Sequence, residues 1–177
     1  MSLREPFVET RLSAVLSRGR LEPRFRALSP EDAVDRLLRP VLLAEGFSAQ
    51  ATDGALDGIR NREGAGSTSF GSVALPHARV SGLGRIVAAL GVNADGVYDS
   101  GPSSIRVILA FASPASATVE HLQFLAQVAR LLRQEETVSD LLGAAAVDET
   151  GVDAGPQGPL LLPAALQEQV QVRARVA

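Results

Sequence analysis

Apolar residues along this chain follow two periods, and the switch between them outlines an architecture. Over Phe7–Arg18 they recur at Phe7, Val8, Leu12, Val15 and Leu16, which predicts a first helix stopped by Gly19. Arg20–Leu28 alternates loosely at Leu21, Phe25 and Leu28 and reads as a strand. Ser29-Pro30-Glu31-Asp32 then opens a helix: a serine to cap it, proline at the first helical position and acids in the first turn. Val34, Leu37, Leu38, Val41 and Leu42 follow at i, i+3, i+4, i+7 and i+8, one apolar helical face. Pro40 within it predicts a kink or a division into two short helices. Gly46 ends that segment, and Ser48–Glu63 predicts a further helix with Ala51, Ala55, Leu56 and Ile59 inward.

The period then shortens. After a small-residue loop, Gly64–Ser72, come three strand-like runs, Val73–Arg79, Arg85–Asn93 and Ser104–Phe111. Ser81-Gly82 and Asp99-Ser100-Gly101-Pro102 lie between them as turns, which predicts two hairpin-like connections. Helical spacing returns after Thr118, read as the cap of a helix facing inward through Leu122, Leu125, Ala126, Ala129 and Leu132, and Asp140–Val147 forms a last helix. Gly151–Pro163 is a Gly/Pro-rich connector, and Val170–Val176 alternates at period two, as an added edge strand or a frayed end would. The expected organisation is one domain over 1–150 with a connector and tail over 151–177. Helices before and after a block of strands predict an α/β fold, a three-layer α/β/α sandwich around a mixed sheet.

Composition sharpens this picture mainly by exclusion. The 177 residues are 46% apolar and 21% charged, ordinary for a soluble domain. No aliphatic stretch approaches the ~20 residues that span a bilayer, and the N-terminus lacks the apolar run of a signal peptide, so the expected location is the cytoplasm, without membrane insertion. There is no Cys, hence no disulfide, thiolate metal site or thiol nucleophile. All 17 basic residues are Arg, which excludes chemistry that needs a lysine ammonium: P-loop hydrolysis, Schiff bases, ordinary protein kinases. A net charge of −3, no Trp and one Tyr argue against nucleic acid as a partner.

Three places hold groups capable of chemistry. His77 lies in Val73-Ala74-Leu75-Pro76-His77-Ala78-Arg79, where Pro76 interrupts ladder pairing and puts His77 at a strand end or bulge. Its plain structural alternative is a hydrogen-bonded histidine at a sheet edge. His121, in Thr118-Val119-Glu120-His121-Leu122, falls at the third position of a helix whose N-terminus repels cations, so it should titrate low and stay neutral near an anion. The alternative is a member of a capping network. Arg62-Glu63 precedes Gly66-Ser67-Thr68, a loop whose amides and hydroxyls suit an anion, with Arg62 as a bidentate clamp or merely a solvated helix-terminal charge. A two-histidine metal site has no third ligand at usable spacing.

The order Arg-Glu-x-x-Gly-Ser-Thr, Pro-His-Ala-Arg, then Glu-His-Leu opening an apolar helix resembles the type-2 enzyme IIA domain of the phosphoenolpyruvate-dependent sugar phosphotransferase system, its fructose/mannitol and nitrogen-regulatory branch. The resemblance runs from about Leu12 to Val147 and includes Ser113–Leu122 and Ala129–Arg133. It implies a three-layer fold with a mixed sheet, His77 as the phosphorylated histidine, and Arg62 and His121 as its companions, with Ser67 and Thr68 holding phosphoryl oxygens. No cofactor or metal is implied. The implied partners are an HPr-like phosphohistidine carrier protein and then either a transporter B domain or a regulatory protein, with a homodimer among the assemblies allowed.

Such a relay needs a neutral imidazole, alignment and charge stabilisation, and little else. It also needs His77 reachable from outside, ringed by small apolar residues such as Ala78 and Phe70. The chain departs from the family in its loop. Gly66-Ser67-Thr68-Ser69-Phe70-Gly71-Ser72-Val73 lacks two of the four glycines of the common Gly-Ser-Thr-Gly-Ile-Gly-Asn-Gly form. That departure motivates a third reading, a scaffold that has lost transfer.

Overall fold

Ser29 starts the first long helix as its side chain predicts. In the computed structural model, which describes residues 10–147 apart from 99, 100 and 102, the Ser29 hydroxyl accepts the Asp32 amide at 3.2 Å and Pro30 occupies the first turn. The elements are α1 (Leu12–Arg18), β1 (Arg20–Pro23), α2 (Pro30–Ala44), α3 (Ala49–Gly64), β2 (Ser69–Phe70), β3 (Val73–Ala74), β4 (His77–Val80), β5 (Val87–Val92), β6 (Val107–Pro114), α4 (Thr118–Leu132) and α5 (Glu135–Val147). The expected start of the first helix at Phe7, the 151–177 connector and tail, and the boundary at 150 lie outside the described residues. Among the described residues no helix is long and apolar enough to cross a membrane.

The helices are built mostly as their periods predict. α2 passes Pro40 as one helix, neither split nor ended. The missing amide costs about 3 kcal/mol, and full burial of Leu37, Leu38 and Leu42 around it offsets that cost. Ser48 caps α3 by accepting the Ala51 amide at 3.1 Å. Ala51 itself is exposed, and Thr52 takes the inward place beside Leu56 and Ile59, the 52/56/59 spacing completing one helical stripe. α5 begins at Glu135, five residues before the expected start.

The six strands form one mixed sheet in the order β1-β5-β6-β3-β2, with β4 also on β6. β1–β5, β3–β6 and β4–β6 are parallel, whereas β5–β6 and the short β2–β3 hairpin are antiparallel. Of the two predicted hairpin-like connections, β5–β6 is real. The one across Ser81-Gly82 is not, because β6 lies between β4 and β5 and pairs with both. β5 and β6 are buried at every position, so their apolar runs carry no alternation that could have named their neighbours. β6 also starts and ends later than predicted, at Val107 and Pro114.

Two cores result, one on each face. Leu12, Leu16, Leu90, Leu109, Phe111 and Phe124 pack beneath α1, α4 and α5. Val34, Leu38, Leu56, Ile59, Ile108 and Ala110 pack beneath α2 and α3. The three layers are therefore as expected. Gly91 admits the α2-side packing: a Cβ there would lie 2.6 Å from a Phe25 ring carbon.

Candidate active site

β3 and β4 are one strand with a gap. Val73 and Ala74 pair with Val107 and Ile108, and His77 pairs with Phe111, the same offset on both sides of Leu75-Pro76. Pro76 thus interrupts the pairing, as predicted, but introduces no bulge. Side chains keep alternating, so His77 faces the same side as Leu75 and Phe111, toward α4.

The His77 ring stacks on Phe111 with centroids 5.0 Å apart and planes 7° from parallel. Its Nδ1 is 2.7 Å from the Leu75 carbonyl oxygen. A carbonyl only accepts, so Nδ1 carries the proton and Nε2 keeps its lone pair. His121 lies beside it, ring centroids 5.2 Å apart at 41° and 5.5 Å from Phe111. Its Nδ1 is 2.6 Å from Ser113 Oγ on β6. Phe124 closes the cluster edge-on against Phe111 at 5.0 Å. The two histidines, 44 residues apart in sequence by subtraction of their numbers, are thus neighbours on one apolar platform.

Several site expectations change in detail. α4 is entered by Ala117, with no side-chain cap, so Thr118 is its first residue and His121 its fourth. The inward stripe is His121, Phe124, Val128 and Leu132, with Leu125 and Ala129 half-buried, whereas Leu122 and Ala126 are exposed. The larger correction concerns access. The sequence predicts an open His77, yet only 4% of it meets solvent. Phe111 covers one ring face, and His121 at the start of α4 stands against the ring as well.

Electrostatics favour two neutral rings beside fixed positive charge. Burial pushes the His77 pKa below its ordinary value and Arg62 adds to the shift, against the opposing pull of the Leu75 carbonyl. His121 is drawn down to about 4, first by burial and then by the fields of His77, Arg79 and Arg62. Arg79, to which the sequence assigns no role, donates to Thr118 Oγ1 at 2.6 Å across the start of α4. Two guanidiniums therefore act on this pocket. Arg79 could have been suspected, because it lies two residues beyond His77 and so on the same face of the strand. Ser113 and the Leu75 carbonyl gave no sign of their roles in the sequence.

The loop is arranged differently from the rings. Arg62 is exposed and donates through Nη1 to the Gly66 carbonyl at 3.0 Å, so it reaches the histidines through its field and not by contact. The Thr68 amide, expected to hold a phosphoryl oxygen, donates to Glu63 Oε2 at 3.3 Å. Burial raises the pKa of that half-buried carboxyl. Ser67 is exposed and lines, with Arg60, Glu63, Ala74, Pro76 and Ile108, a cavity of about 50 Å³ on the α2/α3 side of the sheet, away from the paired imidazoles. The structure brings His77 and His121 together within reach of the Arg62 field, and it does not place Ser67 with them. Among the described residues no group of three or more His, Cys, Asp or Glu is placed to hold a metal ion.

The chain has counterparts among known proteins. Residues 20–150 match the family model described as "Phosphoenolpyruvate-dependent sugar phosphotransferase system, EIIA 2". The chain is similar to a fructose-specific EIIA component of the phosphotransferase system from Haloferax volcanii, 29% identical over 119 residues, covering 64% of this chain and 75% of that protein. It is also similar to a nitrogen regulatory protein from Pseudomonas aeruginosa, 36% identical over 91 residues, covering 50% of this chain and 58% of that one. Among solved structures, the nitrogen regulatory protein IIA-Ntr from Neisseria meningitidis superposes with a TM-score of 0.63 at 20% identity, covering 77% of this chain and 97% of that one. Mannitol IIA from Escherichia coli superposes with a TM-score of 0.53 at 17% identity, covering 75% and 90%. The two structural likenesses speak to the fold alone.

Proposed function

Because the chain belongs to the EIIA 2 family of the phosphoenolpyruvate-dependent sugar phosphotransferase system, we propose that it is a phosphoryl carrier whose acceptor is Nε2 of His77. The observation that carries this reading is the 2.7 Å contact between His77 Nδ1 and the Leu75 carbonyl. It leaves the Nε2 lone pair as the nucleophilic one. As the Nε2–P bond forms, the N–P bond of the donor phosphohistidine breaks and its electron pair returns to the donor ring. The His77 ring gains positive charge in this step, and the Leu75 carbonyl stabilises it through the Nδ1 proton.

The remaining groups serve alignment and charge, which is most of what phosphoryl transfer asks of a protein. Two neutral rings present no bare cation to trap the phosphoryl group as an ion pair. Arg62 and Arg79 supply the positive field that draws its oxygens in. With only 4% of His77 exposed, the donor must approach the ring closely to bring its phosphorus in line with Nε2. The donor is then an HPr-like phosphohistidine carrier protein, and the outgoing phosphate goes to a transporter B domain, in the cytoplasm. The 36% likeness to a nitrogen regulatory protein favours a second reading. In it the phosphorylation state of His77 alters binding to a regulatory protein, with no sugar involved.

The test is incubation with phosphoenolpyruvate, enzyme I and a histidine carrier, followed by mass spectrometry. An acid-labile phosphate on the peptide containing His77 is the expected result, and phosphate at another residue, or none, overturns it. Adding a sugar-transporter B domain then separates the two readings: discharge supports the transport role, and retention the regulatory one.

A further inference from the structure

The two histidines are held by partners of opposite kind. Leu75 offers His77 a carbonyl, which can only accept. Ser113 offers His121 a hydroxyl, which can also donate. Ser113 is fully buried on β6, and its 2.6 Å contact with His121 Nδ1 is the hydrogen bond its hydroxyl makes among the described residues. If the ring donated from Nδ1, the serine proton would be left without an acceptor in a dry interior, a costly arrangement. If the serine donates, its proton is satisfied and the ring proton must reside on Nε2.

From this geometry we infer that Ser113 is a positioning residue that fixes His121 as the Nε2–H tautomer, opposite to the Nδ1–H tautomer of His77. The paired rings then present complementary edges: a lone pair on His77 that attacks, and a neutral N–H on His121 that donates. A donor at that place can hold a phosphoryl oxygen as charge builds on it. The other tautomer would turn a lone pair toward the same oxygens and repel them. The depressed pKa of His121 agrees, since the ring can supply this N–H without being protonated. The kinetic consequence rests on the reading of His77 as phosphoryl acceptor; the tautomer itself does not.

Long-range ¹H–¹⁵N NMR of the imidazoles in the resting full-length chain tests the tautomer directly. The expected result is Nδ1–H at His77 and Nε2–H at His121. Ser113→Ala should move the His121 nitrogen shifts toward a mixture of tautomers, leave His77 unchanged, and slow phosphate uptake about tenfold, the worth of one hydrogen bond, with little change in KM for the carrier. Ser113→Thr keeps the hydroxyl and should restore the His121 shifts and most of the rate. A wild-type His121 that reads Nδ1–H overturns the inference, even if neither variant folds. So do unchanged His121 shifts in a folded Ser113→Ala protein. Absence of phosphate on the wild-type chain, with its tautomers as expected, would instead overturn the carrier reading and leave the Ser113 assignment standing.

Discussion

The α4 face of the gapped strand and the loop that precedes it are built on opposite terms. On the α4 face, His77, His121, Ser113 and Phe111 are buried, stacked and hydrogen-bonded on regular elements. In the loop, Arg62 and Glu63 close on its own backbone at Gly66 and Thr68, and the side chains of Arg62 and Ser67 face water. The difference separates two tasks. Bond making needs atoms held to a fraction of an ångström, which packed elements provide. Receiving an anion needs charge and adaptable donors, which a surface loop provides. A loop that has lost two glycines therefore alters reception before it alters the nucleophile.

Mutations on the two sides should differ accordingly. His77→Ala removes the acceptor and is expected to abolish labelling from the carrier while circular dichroism stays native; phosphate retained elsewhere would move the chemistry off this face. Arg62→Gln removes the charge whose field reaches both rings, and we expect transfer to slow roughly 10- to 100-fold. A rate equal to wild type would reduce Arg62 to its contact with Gly66.

Acid sensitivity should belong to the ring side. His121 titrates at about 4 when folded against an ordinary 6.5, so the unfolded chain takes up the proton first as pH falls through that interval. The contribution is fully present above pH 6.5 and is lost as pH drops toward 4. A loss on the order of 2 kcal/mol is expected in urea midpoints measured across that range, and it should shrink in His121→Gln to the part that the lowered pKa of His77 leaves. A flat profile in the wild type would mean the ring charges without penalty.

The smallest effect is expected at Glu63→Gln. The amide oxygen still accepts from the Thr68 amide, so transfer should stay within about twofold of wild type, well under one hydrogen bond's worth. A collapse of activity there would show that the loop carboxylate does more than hold backbone, and the contrast between the two faces would fail.

What could be read beforehand, and what could not, follows from the same division. Ser29-Pro30 states a helix start in local chemistry and its cap forms, whereas Ser48, expected as the first residue of its helix, stands just outside it as the cap. The layering was legible because helical and strand periods differ. The inward stripe of α4 was not. It runs 121, 124, 128 and 132, and its first member is a histidine, so counting apolar residues shifted the face by one position toward Leu122. The insertion of β6 between β4 and β5 was hidden because strands buried on both faces look alike to either neighbour. His77, His121 and Arg62 were found through the order of their motifs, whereas the burial of His77 and the contact at Ser113 depend on packing that no local run of residues records.

The interruption at Pro76 reaches further than one lost ladder bond. Pro76 directs its carbonyl toward Phe111 on β6, whereas the Leu75 amide turns the other way, to Thr68. The Leu75 carbonyl shares that outward direction, at a border where β2 has already ended. The imidazole of His77 fills the place of an adjoining strand. Any change that lengthened the Ser69–Phe70 ribbon would compete with the ring for this oxygen, and would unsettle the nucleophile from the rim of the sheet without touching a single side chain in the pocket.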